Sequence, residues 1–194
     1  SRAKIYLVMD EGPLTQIRRI RFKGIKKFTS SQLGEVLGLK TNTPLRLNQL
    51  ESGISQLKQY YQDRGYLEMS LLNENENLIQ YNSTGTEANL NFEIYEGPQV
   101  TIGSISIDGN EKTKKEVLLN EMDFTIGEVL TTKKIQEARR RLNLLGLFSR
   151  INIRTLEAGT KIAKRTLIVS VSERVPGLVR MGVGVTFEDD WTLR

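Results

Sequence analysis

Apolar positions along this chain return at a fixed shift of 85 residues. Ile17, Ile20 and Phe22 recur as Ile102, Ile105 and Ile107, and Leu33, Leu37, Leu45 and Leu50 recur as Leu118, Met122, Leu130 and Ile135. Gly24 recurs as Gly109, and Glu11-Gly12-Pro13 recurs as Glu96-Gly97-Pro98. Because the matching positions are mostly apolar, what repeats is a buried face rather than a catalytic motif. Such a tandem of small modules reads first as an array that holds or hands on a partner.

Each copy spells the same elements. Thr15 to Phe22 reads as a strand closed by the turn residues Lys23-Gly24. A helix follows, started by a capping box of Thr29 and Gln32, with Phe28 placed to staple onto Leu33. The second copy offers Thr113 and Glu116 for the same box. A second helix is predicted from near Asn48, buried along Leu50, Ile54, Leu57 and Tyr61, with the matching stripe Ile135, Ala138, Leu142 and Leu145. Gly65 and Gly146 supply the stop signals. Two strands close each copy, near Tyr66–Leu72 and Ala88–Tyr95, then near Phe148–Leu156 and Arg165–Val171. Residues 73–86, rich in asparagine and glutamate, read as the loop of a hairpin. The order is β-α-α-β-β, twice. Ile5, Leu7 and Met9 match the closing strand once more, so the chain is expected to begin on the last strand of a preceding module.

After the second copy the pattern changes. Val179, Met181, Val183, Val185 and Phe187 alternate with Arg180, Gly182, Gly184, Thr186 and Glu188. Small and polar residues on one face and apolar ones on the other suit a transmembrane barrel strand, lumen inside and lipid outside. An ordinary half-buried strand has the same alternation. Neither module needs a further strand, which favours the barrel.

Composition then removes alternatives. The chain has no cysteine and no histidine, which excludes thiolate catalysis, histidine general bases and the usual zinc sites. Its carboxylates do not gather around a candidate nucleophile, so no enzyme activity and no cofactor is expected. The net charge of +5 is uneven. Residues 11–97 hold ten basic and ten acidic side chains, whereas residues 98–175 hold fourteen and nine. A KH-type nucleic-acid module also mixes two helices with a three-stranded sheet, but it needs a Gly-x-x-Gly clamp between the helices. Neither inter-helix segment contains one, so no nucleic-acid partner is expected.

In order and spacing the chain resembles POTRA domains. The run Arg141-Leu142-Asn143-Leu144-Leu145-Gly146-Leu147-Phe148, then Glu173-Arg174 and the Gly182-Val183-Gly184 alternation, resembles the last POTRA domain where it enters the barrel in the BamA-like family. Tyr60-Tyr61-Gln62-Asp63-Arg64-Gly65-Tyr66 resembles the same region of the preceding domain. The resemblance implies an α+β fold of tandem β-α-α-β-β modules, each a three-stranded mixed sheet packed on two helices. Residues 1–12 would end one module, 13–97 form the penultimate module, 98–175 the last, and 176–194 start the barrel.

The function it implies is that of a periplasmic segment of an outer-membrane protein assembly factor, at the periplasmic face of a Gram-negative outer membrane. Its partners would be unfolded outer-membrane proteins, accessory periplasmic lipoproteins and, through the barrel, the membrane itself. The arm of a TamA-like or two-partner secretion transporter is the alternative. The family's sheet order puts the second strand of each module at an edge. The expected client edges are therefore Leu67, Glu68, Met69, Ser70, Leu71 and Leu72 in one module and Arg150, Asn152 and Arg154 in the next. Unpaired backbone groups there could accept an extended peptide. Lys133, Lys134, Arg140 and Arg141, with Phe124 and Ile126, form the expected face toward lipid headgroups or an accessory lipoprotein. Relatives often carry an acidic residue where this chain has Ile126. The lipid-facing side of the barrel strand would be Val179, Met181, Val183, Val185 and Phe187.

Overall fold

The computed structural model describes residues 14–174. The strand expected in residues 1–12 and the barrel strand expected from Val179 to Phe187 lie outside the described residues. Eleven elements follow in order: β1 Gln16–Lys23, α1 Ser30–Leu37, α2 Leu47–Gln62, β2 Ser70–Leu71, β3 Ile79–Tyr81, β4 Glu87–Tyr95, β5 Thr101–Asp108, α3 Lys115–Met122, α4 Thr132–Leu144, β6 Phe148–Thr155 and β7 Lys164–Glu173. They form two mixed sheets, each with a pair of helices on its inner face.

In the first module β4 is central, parallel to β1 on one side and antiparallel to β2 and β3 on the other. Leu90, Phe92 and Ile94 point inward from β4 and are buried against Ile17, Leu33, Leu37 and the α2 stripe Leu50, Ile54, Leu57 and Tyr61. The second module repeats this with β7 central, parallel to β5 and antiparallel to β6. Its core gathers Ile102, Leu118, Met122, Leu130, Ala138, Leu142, Leu167, Val169 and Val171. Even the irregularity in the first strand repeats, after Ile17 and after Ile102. The turn after that strand runs against the central strand, and Gly24 and Gly109 have φ of 79° and 82°. A Cβ at either would lie 2.1 or 2.0 Å from the carbonyl oxygen of Ile94 or Val171, so only glycine fits.

Local signals met different fates. The Thr29–Gln32 capping box forms in full. Its expected counterpart at Thr113 and Glu116 does not: α3 is capped at Lys114, the true equivalent of Thr29 at a shift of 85, and lysine has no acceptor to offer. The Thr113 N–H is instead donated to Glu173 Oε1 at 2.7 Å. The second helix begins one residue before Asn48, at Leu47, with no side-chain cap.

The largest departure concerns the strand expected over Tyr66–Leu72. Only Ser70 and Leu71 pair with β4, and the expected loop 73–86 contributes the second piece, β3. Asn73 bridges the gap. Its amide donates to the Asn91 carbonyl at 2.8 Å, and its side-chain oxygen accepts the Glu93 N–H at 3.0 Å. One side-chain amide thus does what a strand residue's backbone would do, and this sheet has four strands rather than three.

Candidate binding edges and the module joint

Whether an edge can receive a new strand depends on which of its backbone groups point away from the sheet. In an antiparallel ladder these alternate residue by residue. The Leu156 N–H donates to the Thr166 carbonyl at 2.9 Å. Counting back along the register, Arg154, Asn152 and Arg150 bond to β7, and the N–H and C=O of Ile151, Ile153 and Thr155 face outward. β6 therefore presents a continuous outer edge. Arg150, Asn152 and Arg154 are exposed on the solvent face of the sheet, while Ile153 is buried in the core.

The first module's edge is different. The Leu72 N–H donates to the Glu93 carbonyl, so Ser70 also turns its bonds inward and only Leu71 faces out from β2. The loop Asn73–Asn77 then separates β2 from β3. Met69 and Leu71 are buried, and Leu72 is 70% exposed. Leu67 and Glu68 are not on an open edge at all. Leu67 packs against the second module's core. Glu68 Oε1 accepts a hydrogen bond from Arg165 Nη1 at 2.6 Å.

Those two residues belong to a joint between the modules that the sequence did not reveal. The covalent link is Tyr95-Glu96-Gly97-Pro98, running β4 into β5. Beside it, the segment after α2 docks on the second module. The Val100 N–H donates to the Gly65 carbonyl at 2.8 Å, and Gln99 Nε2 donates to the Arg64 carbonyl at 2.9 Å. Gly65 has φ of 87°, and a Cβ there would lie 2.4 Å from Val129 Cγ1. Its glycine is thus a contact requirement as well as a helix stop.

Arg165, with its side chain 1% exposed, is the centre of this contact. Nε donates to the Ile162 carbonyl at 2.7 Å and Nη2 to the Thr160 carbonyl at 2.9 Å. The hairpin between β6 and β7 is thereby wrapped on the guanidinium. The hydrogen bond from Arg165 holds the Glu68 carboxyl below the usual carboxylate range. A signal was available: Arg165 precedes Leu167, Val169 and Val171 in the inward register of its strand, where a charge needs a partner.

The glutamate of the repeated Glu-Gly-Pro also has a role beyond its turn. Glu96 is buried and accepts the N–H groups of Lys26 and Lys27 at 3.0 and 3.1 Å and the Tyr61 hydroxyl at 3.0 Å. Burial, and then this carboxylate, push the Tyr61 hydroxyl well above its ordinary pKa. Glu173 takes the corresponding place and accepts the Lys112 and Thr113 N–H groups, which lowers its own pKa. In each module this carboxylate ties the closing strand to the turn ahead of the first helix.

The expected basic face is largely neutralised within its own module. Lys134 pairs with Glu128, Arg140 with Glu137 at 2.6 Å, and Arg141 with both Glu137 and Asp123. The two arginines bring the Glu137 carboxyl down to about 2. Lys133 is exposed, without an ion pair among the described residues. Phe124 is half-buried against the core and lines a surface cleft with Met122, Asp123, Glu128 and Arg141, while Ile126 is 55% exposed on the loop beside it.

Comparison with known proteins adds the family. POTRA, described as a surface antigen variable number repeat, matches residues 15–97 and again 100–174. The outer membrane protein assembly factor BamA of Nitratidesulfovibrio vulgaris is 26% identical over 184 residues, covering 93% of this chain and 23% of that protein. BamA of Neisseria meningitidis is 28% identical over 88 residues, covering 45% of this chain and 11% of that protein. The chain thus spans less than a quarter of the curated relatives it matches. Among solved structures, Haemophilus influenzae BamA POTRA3-5 matches with a TM-score of 0.64 at 18% identity, over 82% of this chain and 61% of that one. Haemophilus ducreyi BamA lacking POTRA domains 1–3 matches with a TM-score of 0.67 at 22% identity, over 82% of this chain and 29% of that one. These likenesses bear on the fold.

Proposed function

Given that this chain belongs to the POTRA family, we propose that it is a segment of the periplasmic arm of an outer-membrane protein assembly factor. In this reading it receives unfolded outer-membrane proteins at the periplasmic face of the outer membrane and passes them toward a membrane barrel. The observation that carries it is the continuous outer edge of β6, with the backbone of Ile151, Ile153 and Thr155 turned away from the sheet. Backbone pairing tolerates any side-chain sequence, which suits clients that share only alternation. The client edge lies at β6 rather than at residues 67–72, because the latter are divided between the joint and a broken strand.

The test is a titration of the isotope-labelled chain with a peptide of one outer-membrane strand. Amide shifts centred on Ile151, Ile153 and Thr155 are expected. Shifts centred on Leu71, or none at saturating peptide, would reject the assignment.

The exposed Ile126 supports a second docking place. An accessory lipoprotein would seat an apolar side chain on Ile126 and the Phe124 cleft, which Lys134 and Arg141 help to line. Ile126→Asp should then abolish lipoprotein binding while leaving the strand-peptide titration unchanged.

A further inference from the structure

We propose that the β6 edge discriminates among extended segments by charge, favouring those with acidic side chains at positions i and i+4 on the face that turns to solvent. The inference rests on the edge-capture reading above and names the clients that edge prefers. Arg150 and Arg154 stand on one face of β6, four residues apart, which is about 13 Å along a strand. Both are exposed, and among the described residues neither is in an ion pair, in contrast with Arg140, Arg141 and Lys134 on the neighbouring helix. Their cross-strand neighbours on β7 are Ser172 and Ile168, with Ser170 beside Asn152 between them. No carboxylate on the central strand competes for the guanidinium groups. A strand added outside β6 would lay its own side chains directly beside Arg150, Asn152 and Arg154.

The same pattern selects against a second copy of the chain. An antiparallel β6–β6 pair centred on Asn152 would set Arg150 opposite Arg154 twice, and like charges placed opposite each other destabilise a ladder. An acidic partner reverses that sign at both positions while Ile151 and Ile153 keep the other face apolar. The first module has nothing comparable, since Ser70 and Leu72 are uncharged and Glu68 is engaged with Arg165. Two favourable cross-strand charge pairs correspond to a preference on the order of tenfold.

The experiment uses three peptides with one alternating apolar face, carrying Glu, Gln or Lys at positions i and i+4 of the other face. Their affinities for the whole chain are read from β6 amide shifts. The expected order is Glu above Gln above Lys, compressed at high salt. The variant Arg150→Glu with Arg154→Glu, both surface changes, should invert it. A Glu peptide N-methylated at the residues facing β6 should not bind, which separates strand pairing from simple charge attraction. Equal binding of all three peptides at β6 would overturn the selectivity and leave edge capture standing. No β6 shift with any peptide would remove the edge-capture reading itself. Undiminished binding of the N-methylated peptide, or loss of the Glu peptide to vesicles of anionic lipid that bind through the same two arginines, would overturn the assignment to an extended acidic segment.

Discussion

At the residue scale, the apolar stripes were legible and the polar anchors were not. Leu142 is fully buried where the helical period puts it, and Arg140 lies off that stripe, exposed and, among the described residues, paired only with Glu137. Leu142→Ala should therefore cost about 2–4 kcal/mol through the cavity it leaves. Arg140→Ala should leave the denaturant midpoint almost unchanged, because an exposed ion pair adds little. Denaturant melts of the two variants measure the difference, and equal losses would show that the helix faces are misplaced. The repeat of Glu-Gly-Pro was equally plain in the sequence, yet it suggested a turn. That the glutamate accepts two backbone N–H groups from a turn some 70 residues away depends on tertiary contact, which local pattern does not encode.

At the element scale, helices and central strands followed from periodicity, whereas the edge strand of the first module did not. Asn73 replaces a stretch of backbone pairing with its side chain, so β2 and β3 serve one ladder while the chain between them leaves it. Nothing in a run of asparagine and glutamate distinguishes that device from an ordinary loop. The second module has no such interruption, and its edge was readable from the alternation of Ile151 and Ile153 with Arg150, Asn152 and Arg154. Proline tests the alternation of backbone groups directly, since it removes one N–H and is tolerated only where that N–H faces outward. Thr155→Pro should abolish strand-peptide binding and shift the denaturant midpoint only slightly. Arg154→Pro, one residue back, should destabilise the second module, because that N–H is expected to bond to β7. The reverse outcome for the two variants would mean that the edge faces the other way.

At the scale of the whole molecule, the linker Glu96-Gly97-Pro98 alone would restrain the two modules but leave them a hinge. The docked segment from Arg64 to Glu68 supplies a second attachment on a different strand of chain, and two separated attachments oppose rotation about either one. Arg165 is the costly part of this design: a guanidinium at 1% exposure is stable only while its acceptors are in place. Glu68→Ala should therefore destabilise the second module by about 2–3 kcal/mol, less than for a fully buried pair because Glu68 keeps some contact with water. The same change should let the modules tumble separately in NMR relaxation, where the unaltered chain is expected to tumble as one body. The pH dependence has a definite sign. A carboxyl whose pKa is lower in the folded state stabilises fully above its unfolded value, near 4.3, and loses that contribution as pH falls through the lower folded value. The joint should hold unchanged from pH 8 to about 5 and loosen only below about pH 4, and Glu68→Ala should erase that acid transition. Separate tumbling of the unaltered chain at neutral pH would mean that the Glu68–Arg165 contact does not hold the modules together.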